Sequence, residues 1–314
     1  MYKKELKNYL KNIDSKLSDD ILEFHFECLQ DWSVLHTIDE IEEWYNKKVD
    51  SQSMEVREIP LKECDNWTMN DNKIYHDSAE FFQIKGYKIK SDTREVDGWS
   101  QPMIEQVGKD GGILGIVRKR FDDIPHYLLE AKFEPGNTNL VQISPTLQAT
   151  FSNINAAHLG NRPYYLEYFL NSEEYKIHFN NWLSEDGGRF FDKRNLNMLI
   201  EVEEPFEVVN DNFIWMSMYQ IKYLIKKHTW VNPHIRSILS FFCVCQCIRG
   251  IVLVLPSLPY WLFFYLPQVY VCSTVFETIH RLMNVNFRFY QMSSLLLPIP
   301  RMNIGLLVLS HEQK

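Results

Sequence analysis

The amino-acid composition of this 314-residue chain changes abruptly near Ser240. From Ser240 to the end there is no Asp and no Ala, and Lys314 is the only Lys. Before that point, polar and apolar residues alternate with the periods that helices and strands require. An evolved fold and a functional site are therefore expected before Ser240, and the tail over residues 241–314 needs a separate explanation.

Two explanations of the tail stay open. Residues 251–275 carry no charge and are long enough to cross a bilayer, which would tether the protein to a membrane. Three helix-breaking prolines, Pro256, Pro259 and Pro267, argue against that span. A shift of reading frame near Ser240 would instead yield the observed mixture of Phe, Leu, Tyr, Cys and Ser with no evolved fold. Composition favours the second explanation, so a membrane location is not expected.

Charge and cysteine content restrict the class of protein. The formal net charge of −8 argues against nucleic-acid binding, because phosphate neutralisation needs a basic surface. The cysteine run CVCQC lacks the CxxC spacing of a zinc or disulfide-exchange site, so no metal is expected. The first residues contain no apolar signal segment. These features predict a cytoplasmic protein with unpaired thiols.

The first 50 residues predict amphipathic helices. Ser18 precedes two acidic residues and a helical apolar pattern, and Thr37 precedes a second segment of the same kind. From Phe81 onwards the period becomes that of short strands bounded by Gly, Pro, Asn and Asp, as in GILGIVRKRF and HYLLEAKF. Ser217 precedes a further helix. The prediction is an α+β fold with a mixed or antiparallel sheet, divided into a helical segment 1–50, a domain 51–240 and the tail 241–314.

Polar side chains are unusually dense between Tyr75 and Asn197. Gln and Asn alternate with apolar strand residues, as in VQISPTLQATFSN and KRNLNML. A buried amide group must find hydrogen-bond partners, so this pattern is costly in an ordinary core. A site that binds a polyhydroxylated ligand would account for many of these residues at once.

In this order the polar motifs resemble the NDP-hexose 2,3-dehydratase family, the dTDP-4-keto-6-deoxyglucose 2,3-dehydratases of deoxysugar biosynthesis. The resemblance covers roughly residues 67–240. The motifs that carry it are His76-x-Ser78 with Phe81-Phe82, Arg94-Glu95-Val96 with Trp99-x-Gln101-Pro102, Gln106, the Gly112-Ile113-Leu114-Gly115 turn, HYLLEAKFEPGN from His126, QISPTLQATFSN from Gln142, Lys193-Arg194-Asn195-x-Asn197-Met198, and VNPHIRSILS from Val231.

The chain departs from the family pattern in two motifs. It has Leu183-Ser184-Glu185-Asp186-Gly187 where the family usually carries QSEQG, and Asn232-Pro233-His234 where the family carries NMD. The family chain is a tandem of two Nudix-like halves, and only the first half is recognisable here. Since no Glu-rich Nudix box is present, the resemblance implies a Nudix-like fold without a metal-dependent hydrolase.

The reaction that the resemblance implies removes the C2 hydroxyl of a dTDP-linked 4-keto-6-deoxyhexose and leaves a 3,4-diketo-2,6-dideoxy sugar. The 4-ketone acidifies the C3 proton, so neither a cofactor nor a metal is required. The protein must supply a base near C3, donors to the enolate oxygen and an acid at the departing hydroxyl. Two other functions stay open: a non-catalytic nucleotide-sugar-binding remnant, and a membrane-tethered protein.

Five residues are candidates for the chemistry. Glu130, Lys132 and Glu134 follow one another at period two, so the spacing predicts that they share one face of a strand. There Lys132 could orient a carboxylate base and stabilise the enolate, although an exposed salt-bridged face fits the spacing equally well. The family match favours the site. His126 and His158 titrate near neutral pH and are candidates for the acid or the base.

The remaining candidates would bind the substrate. Arg94 and the pair Lys193-Arg194 suit the diphosphate, since cationic groups bind phosphate oxygens, and Trp99 offers a flat face to thymine. Solvated charges and a core Trp are the competing interpretation. The neutral candidates for the sugar hydroxyls are Gln142, Thr146, Gln148, Thr150 and Asn153, and further candidates for substrate binding are Gln101, Gln106, Asn195 and Asn197. A homodimer that imitates the tandem arrangement is the expected assembly.

Overall fold

The computed structural model describes residues 1–13, 17–79, 81–108, 111–154 and 162–241. All of them belong to one compact unit, Met1–Pro256, and a second unit, Ser257–Lys314, lies outside the described residues. The apolar stretch 251–275 and His158 also lie outside them. Among the residues that the structure describes, no helix is both long and apolar enough to cross a bilayer.

The predicted N-terminal helices are confirmed. They are α1 (Tyr2–Lys11), α2 (Asp19–Glu27) and α3 (Ile38–Ser51). The Ser18 hydroxyl accepts a hydrogen bond from the backbone N–H of Ile21 at 3.5 Å. Thr37 and Glu40 form a reciprocal capping box at the start of α3. The capping residues found in the sequence therefore mark where both helices begin, because their side chains accept hydrogen bonds from the free N–H groups of the first turn.

The rest of the described chain contains twelve strands in two sheets, four further α-helical segments and two short 3-10 helices, Leu61–Glu63 and Ser172–Glu174. The strands are β1 (Trp67–Met69), β2 (Lys73–His76), β3 (Phe82–Lys90), β4 (Gly98–Gln106), β5 (Gly112–Phe121), β6 (Ile124–Phe133), β7 (Val141–Pro145), β8 (Leu147–Ala149), β9 (Lys176–Ser184), β10 (Phe190–Phe191), β11 (Arg194–Val202) and β12 (Phe213–Met216). The helical segments are α4 (Phe151–Ile154), α5 (Leu166–Leu170), α6 (Met218–Ile225) and α7 (233–241).

Both sheets are mixed, which confirms the α+β prediction. The small sheet has the strand order β1-β2-β3-β4-β10, and the large sheet has the order β12-β6-β5-β11-β9 with β7 on β6 and β8 on β5. Only the pairs β10 with β4 and β11 with β5 are parallel among the described strands. The helix predicted after Ser217 is also confirmed as α6, whose first turn carries a capping box between Ser217 and Gln220.

The strand predicted for GILGIVRKRF is confirmed as β5, so the Gly112–Gly115 stretch, which was named a turn among the family motifs, is the beginning of that strand. Its backbone pairs with β8 on one side and with β11 on the other, so it lies inside the sheet. Glycine is needed there for close packing, because a Cβ atom on Gly115 would lie 2.1 Å from the ring of Phe169 in α5.

The large sheet splits along β5. The second half of β5 pairs with β6 through a hairpin whose turn residues, Asp122 and Asp123, both have positive φ. The first half pairs with β8 instead. Thr146 occupies the point of divergence, where its hydroxyl accepts a hydrogen bond from Val117 N at 2.9 Å and donates one to Leu128 O. It satisfies backbone groups that the split leaves without strand partners.

One face of the large sheet packs against α2, α3, α6 and α7. Its middle is apolar, with Leu114, Ile116, Leu129 and Leu199 in the same core as residues of these helices. Since side chains alternate along a strand, the odd-numbered residues of β11 point towards this face. Asn195 and Asn197 therefore lie at one end of the face, Leu199 in the middle, and Glu201 at the other end.

A buried ionic cluster joins α2 to the Glu201 end. Arg118 is fully buried, and its guanidinium lies 2.8 Å from a carboxylate oxygen of Glu27 and in contact with Glu201. Arg120 bonds to Glu23 and to Glu201, each at 2.7 Å. The cluster thus holds two guanidinium groups and three carboxylates. A buried ion that loses its partner is strongly destabilising, so the cluster fixes α2 against the sheet.

Substitution of Arg118 by Met should lower the free energy of unfolding by about 3–5 kcal/mol, because three buried carboxylates lose a cation. Urea unfolding measured by circular dichroism would show this loss. Arg162→Met is the matched control, since Arg162 forms an exposed pair with Glu167, and it should cost less than about 1 kcal/mol. Equal losses of stability in Arg118→Met and Arg162→Met would contradict the stabilising role of the buried ionic cluster.

Glu27 should make stability depend on pH. Burial raises the pKa of its carboxyl from 4.5 to about 7, against the opposing effect of the Arg118 guanidinium. In this range the folded state binds more protons than the unfolded state, so the contribution to stability falls as the pH rises from about 4.5 to about 7. In Glu27→Gln this decline, on the order of 3 kcal/mol, should disappear. An identical pH dependence of unfolding in the unmodified chain and in Glu27→Gln would contradict this role of Glu27.

Candidate active site

One end of the same sheet face carries Asn195 and Asn197 and is called the amide end below. A cluster of polar side chains surrounds Lys193 and Asn195 there. The Lys193 ammonium donates to Asn195 Oδ1 at 2.8 Å and to Gln106 Oε1, which brings the end of β4 to this point. The Asn195 amide nitrogen donates to Glu185 Oε1 at 2.5 Å. Lys193 and Asn195 are both buried. Lys193 comes directly before β11, and because side chains alternate along the strand, Lys193 and Asn195 point to the same face.

A second group of hydrogen bonds centres on Gln148 in β8. The Gln148 amide nitrogen donates to Glu134 Oε1 at 2.8 Å. Its amide oxygen accepts hydrogen bonds from Ser144 Oγ at 2.7 Å and from Asn232 Nδ2 at 3.0 Å. Because two donors hold the oxygen, the amide cannot flip, and only N–H can face Glu134.

Asn232 also begins α7. Its side-chain oxygen accepts from the backbone N–H groups of His234 at 3.1 Å and Ile235 at 3.2 Å, which is the geometry of an N-cap. One turn later, Ser237 Oγ donates to Asn197 Oδ1 at 2.8 Å. The helix is therefore fixed over the amide end of β11 at two points.

The cluster contains four titratable groups: Glu134, Glu185, Lys193 and His234. Burial lowers the pKa of Lys193, and Glu185 opposes that shift. Burial also lowers the pKa of His234, which Glu185 and Glu134 oppose and Lys193 reinforces. A carboxylate base, a titratable imidazole and buried N–H donors in one place can remove a proton, supply one and stabilise an oxyanion.

The structure separates Glu134 from Glu130 and Lys132. The predicted strand ends at Phe133, so Glu134 lies in the following turn and reaches Gln148. Glu130 and Lys132 do share a strand face, where their charged groups lie 3.3 Å apart. That face is the one of Leu128, which belongs to the core on the other side of the sheet. Burial raises the pKa of Glu130 against the effect of Lys132.

His126 lies near the opposite end of β6 and is fully buried. Its Nδ1 lies 3.0 Å from Ile124 O, and its Nε2 lies 3.4 Å from the backbone N–H of Val34. Burial lowers its pKa, so a neutral ring that donates through Nδ1 and accepts through Nε2 fits both contacts. Both nitrogens bind backbone groups, and His126 is not brought to the Glu134 cluster.

Arg94, Trp99 and Gln101 form a separate group in the small sheet. Arg94 is exposed, pairs with Glu95 at 2.9 Å and lies 5.7 Å from the Trp99 ring. The Trp99 N–H donates to Gln101, which donates to Gly188 O. Trp99 and Gln106 are at opposite ends of β4, so about 23 Å separates them along the strand.

The other predicted binding residues have individual partners. Gln142 donates to Thr229 O at 2.7 Å, and Thr150 bonds to Ser152 at 2.9 Å. The Arg194 guanidinium lies 4.9 Å from the Trp182 ring and points to the opposite face from Lys193. Asn153 lies half-buried in α4. Of the predicted residues, the cluster therefore contains Glu134, Gln106, Gln148, Lys193, Asn195 and Asn197.

Five residues of the cluster were missed: Ser144, Glu185, Asn232, His234 and Ser237. A signal existed for Asn232, because an Asn followed by a Pro is typical of an N-cap and the first helical position. Glu185 and His234 lie in the two motifs that depart from the family pattern. Ser144 carries no local signal, since its role depends on Gln148 and Asn232. Among the described residues, no group of three or more His, Cys, Asp or Glu could hold a metal ion.

The family model for NDP-hexose 2,3-dehydratase matches residues 38–242. Proteins named dTDP-4-dehydro-6-deoxy-alpha-D-glucopyranose 2,3-dehydratase are similar to this chain. The one from Saccharopolyspora spinosa is 36% identical over 199 residues, which are 63% of this chain and 40% of that protein. The one from Amycolatopsis orientalis is 36% identical over 209 residues, or 64% and 44%. The chain spans less than half the length of these curated relatives.

Solved structures show only a distant likeness. An Ap4A hydrolase from C. elegans aligns with 43% of this chain and 98% of its own, at 14% identity and a TM-score of 0.25. A Nudix hydrolase from M. smegmatis aligns with 54% and 97%, at 14% identity and a TM-score of 0.27. Neither alignment carries an argument about the chemistry.

Asn232→Ala should destabilise the protein by about 2–4 kcal/mol, because it removes an N-cap together with the hydrogen bonds from the Asn232 amide nitrogen to Gln148 and to the buried Ser144 hydroxyl. Thr37→Ala is the control, since it removes a comparable cap far from the cluster and should cost only about 1 kcal/mol. Chemical denaturation of both variants measures the difference. If Asn232→Ala loses no more stability than Thr37→Ala, the hydrogen bonds of the Asn232 amide nitrogen do not stabilise the fold.

Proposed function

Because the chain belongs to the NDP-hexose 2,3-dehydratase family, we propose that the cluster around Glu134 and Lys193 binds a dTDP-linked 4-keto-6-deoxyhexose and removes its C2 hydroxyl. The chain would then be a carbon–oxygen lyase that releases water. The observation that carries this proposal is the convergence of a carboxylate, an ammonium and fixed amide donors at one end of the sheet face.

The chemistry needs proton transfer and charge stabilisation. A base removes the C3 proton, which the neighbouring 4-ketone acidifies, and an enolate forms. As the C2–O bond breaks, the enolate electron pair forms the C2=C3 bond and the C4 carbonyl is restored. The C2 oxygen leaves as water after it gains a proton. The remaining C3 enol becomes a ketone when C2 gains a proton, so no external oxidant or reductant is consumed.

Glu134 is the base in this proposal. Gln148 holds one of its carboxylate oxygens at 2.8 Å. The second oxygen accepts no hydrogen bond from any residue in the described part of the chain, so it is available to the C3 proton. A base must lie within hydrogen-bond reach of the proton it removes, and a carboxylate held by one oxygen meets that need.

Lys193 stabilises the enolate in place of Lys132. Its ammonium is buried among the amide oxygens of Gln106 and Asn195, which carry no full negative charge. A cation in such an environment interacts strongly with an oxyanion, because little water screens it. Lys132 lies beside Glu130 on the other face of the sheet, so its charge is already paired.

The nucleotide part has a candidate location in the small sheet. Trp99 lines an open groove of about 370 Å³ together with Lys88, Lys90 and Asp97, and the Arg94 guanidinium lies 5.7 Å from the Trp99 ring. Cationic groups beside an aromatic face suit a diphosphate and a thymine. The length of β4 separates this groove from Glu134, so a single substrate cannot occupy both unless a further surface brings them together. A homodimer would offer such a surface.

A nucleotide-sugar-binding protein without turnover is the second candidate function, because the Arg94–Trp99 groove can bind a nucleotide whether or not the Glu134 cluster acts on the sugar. Calorimetric titration with dTDP detects binding, and exchange of the C3 proton with solvent deuterium detects the base. Binding without exchange in the unmodified chain would favour the alternative, and absence of both would reject the assignment to this substrate class.

Glu134→Gln should slow the exchange of the C3 proton of dTDP-4-keto-6-deoxyglucose by about 10²–10⁴-fold, since the amide cannot accept the proton. Proton NMR in deuterium oxide follows the exchange. Glu130→Gln is the matched control, because it changes a neighbouring carboxyl on the other face, and it should exchange at the unmodified rate. Loss of exchange in Glu130→Gln alone would move the base to the other face of the sheet.

A further inference from the structure

We infer that His234 is the general acid that protonates the departing C2 oxygen. This inference rests on the proposed function and deepens it, because the elimination needs an acid at the C2 oxygen besides the base Glu134 and the oxyanion donor Lys193. His234 lies in the first turn of α7, next to the Asn232 cap. Three features of the described residues support the assignment: its placement, its free ring nitrogens and the charges that face it.

Its placement follows from the two anchors of α7. Asn232 binds the His234 backbone N–H with its oxygen and Gln148 with its nitrogen, and Gln148 in turn binds Glu134. Residues three apart share one face of a helix, so His234 lies on the same face as Ser237. Since Ser237 contacts Asn197 on β11, that face is directed at the row that contains Asn195 and Lys193.

The imidazole of His234 is half-buried and makes no hydrogen bond with any residue in the described ranges. His126 is the instructive contrast, because it is fully buried and both of its nitrogens contact backbone groups. A buried His is usually satisfied in that manner. A half-buried imidazole with both nitrogens available, beside a carboxylate and an ammonium, is equipped to exchange protons with a bound molecule.

The charged groups that face His234 are Glu185, Glu134 and Lys193. The two carboxylates stabilise the imidazolium, while burial and the Lys193 ammonium destabilise it, with a lowered pKa as the result. An imidazolium in that balance releases its proton readily, which is the property that an acid for a poor leaving group needs.

The proton balance closes with His234 and Glu134 alone. Glu134 takes the C3 proton, and His234 gives its proton to the C2 oxygen as the C2–O bond breaks and water leaves. The enol hydroxyl at C3 then loses its proton to neutral His234, and protonated Glu134 delivers its proton to C2. The 3-ketone forms in that step, and both residues return to their initial charge states.

The test compares two rates in His234→Gln: exchange of the C3 proton and loss of the C2 hydroxyl from dTDP-4-keto-6-deoxyglucose. Exchange should stay within about threefold of the unmodified chain, while elimination should slow by about hundredfold or more. Since the ring makes no hydrogen bond to the described residues, the variant should fold, and its thermal midpoint checks this. His234→Asp, which restores the carboxyl that the family pattern carries there, should eliminate faster than His234→Asn.

Two further measurements separate an acid from a structural residue. The 2-fluoro analogue releases fluoride, which needs no proton, so His234→Gln and the unmodified chain should release it at similar rates. An acid acts only when protonated, so elimination by the unmodified chain should decline as the pH rises through the His234 pKa. That decline should be absent in His234→Gln.

Several outcomes would overturn the inference. A parallel loss of exchange and elimination in His234→Gln would make the residue structural, and unchanged elimination would exclude it from the chemistry. An unmodified chain that exchanges the C3 proton without eliminating the hydroxyl would show that no acid acts. Failure of the proposed function looks different, because the unmodified chain would then neither bind the dTDP-sugar nor exchange its C3 proton.

Discussion

The fold depends on the charge of Arg118, which has no access to water. Its guanidinium binds carboxylates from distant parts of the chain, Glu23 and Glu27 on α2 and Glu201 on β11, and also donates to the Tyr127 hydroxyl at 3.2 Å. An Arg cannot lose its proton to escape burial, so these partners must be in place when the sheet forms. The residues matched by the family model begin at 38, after α2. The segment before the match therefore supplies two of the three carboxylates that Arg118 needs.

The same strand joins this ionic cluster to the candidate active site. Glu201 and Asn195 lie on one face of β11, about 20 Å apart, with Leu199 between them in the apolar core. Because the Glu201 end is held by buried ions and the middle by packing, the amide end has little freedom to shift. The position of Lys193 relative to Glu134 then depends on the split of the sheet at Thr146, which directs β7 and β8 across the end of β5.

Sequence reasoning worked where the signal is local. Ser18, Thr37 and Ser217 marked helix starts because capping is decided within one turn, and the change of period marked the strands. The polar motifs that carry the family resemblance also named six members of the cluster, among them Lys193, Asn195 and Asn197. Sequence reasoning did not foresee that β6 ends at Phe133, which sends Glu134 to a different face from Glu130. The end of β6 is set by pairing with β7 and β12, and β12 is remote in the sequence.

The central claim is that the sugar binds at the amide end of β11. Nitrogen-edited NMR of the side-chain amides and indoles, recorded with increasing dTDP-4-keto-6-deoxyglucose, tests it most directly because it needs no turnover. The account predicts that the side-chain N–H signals of Gln148, Asn195 and Asn232 move together and saturate at one ligand concentration. Movement confined to the Trp99 indole N–H, with those three amides unchanged, would contradict it and place the ligand in the small sheet.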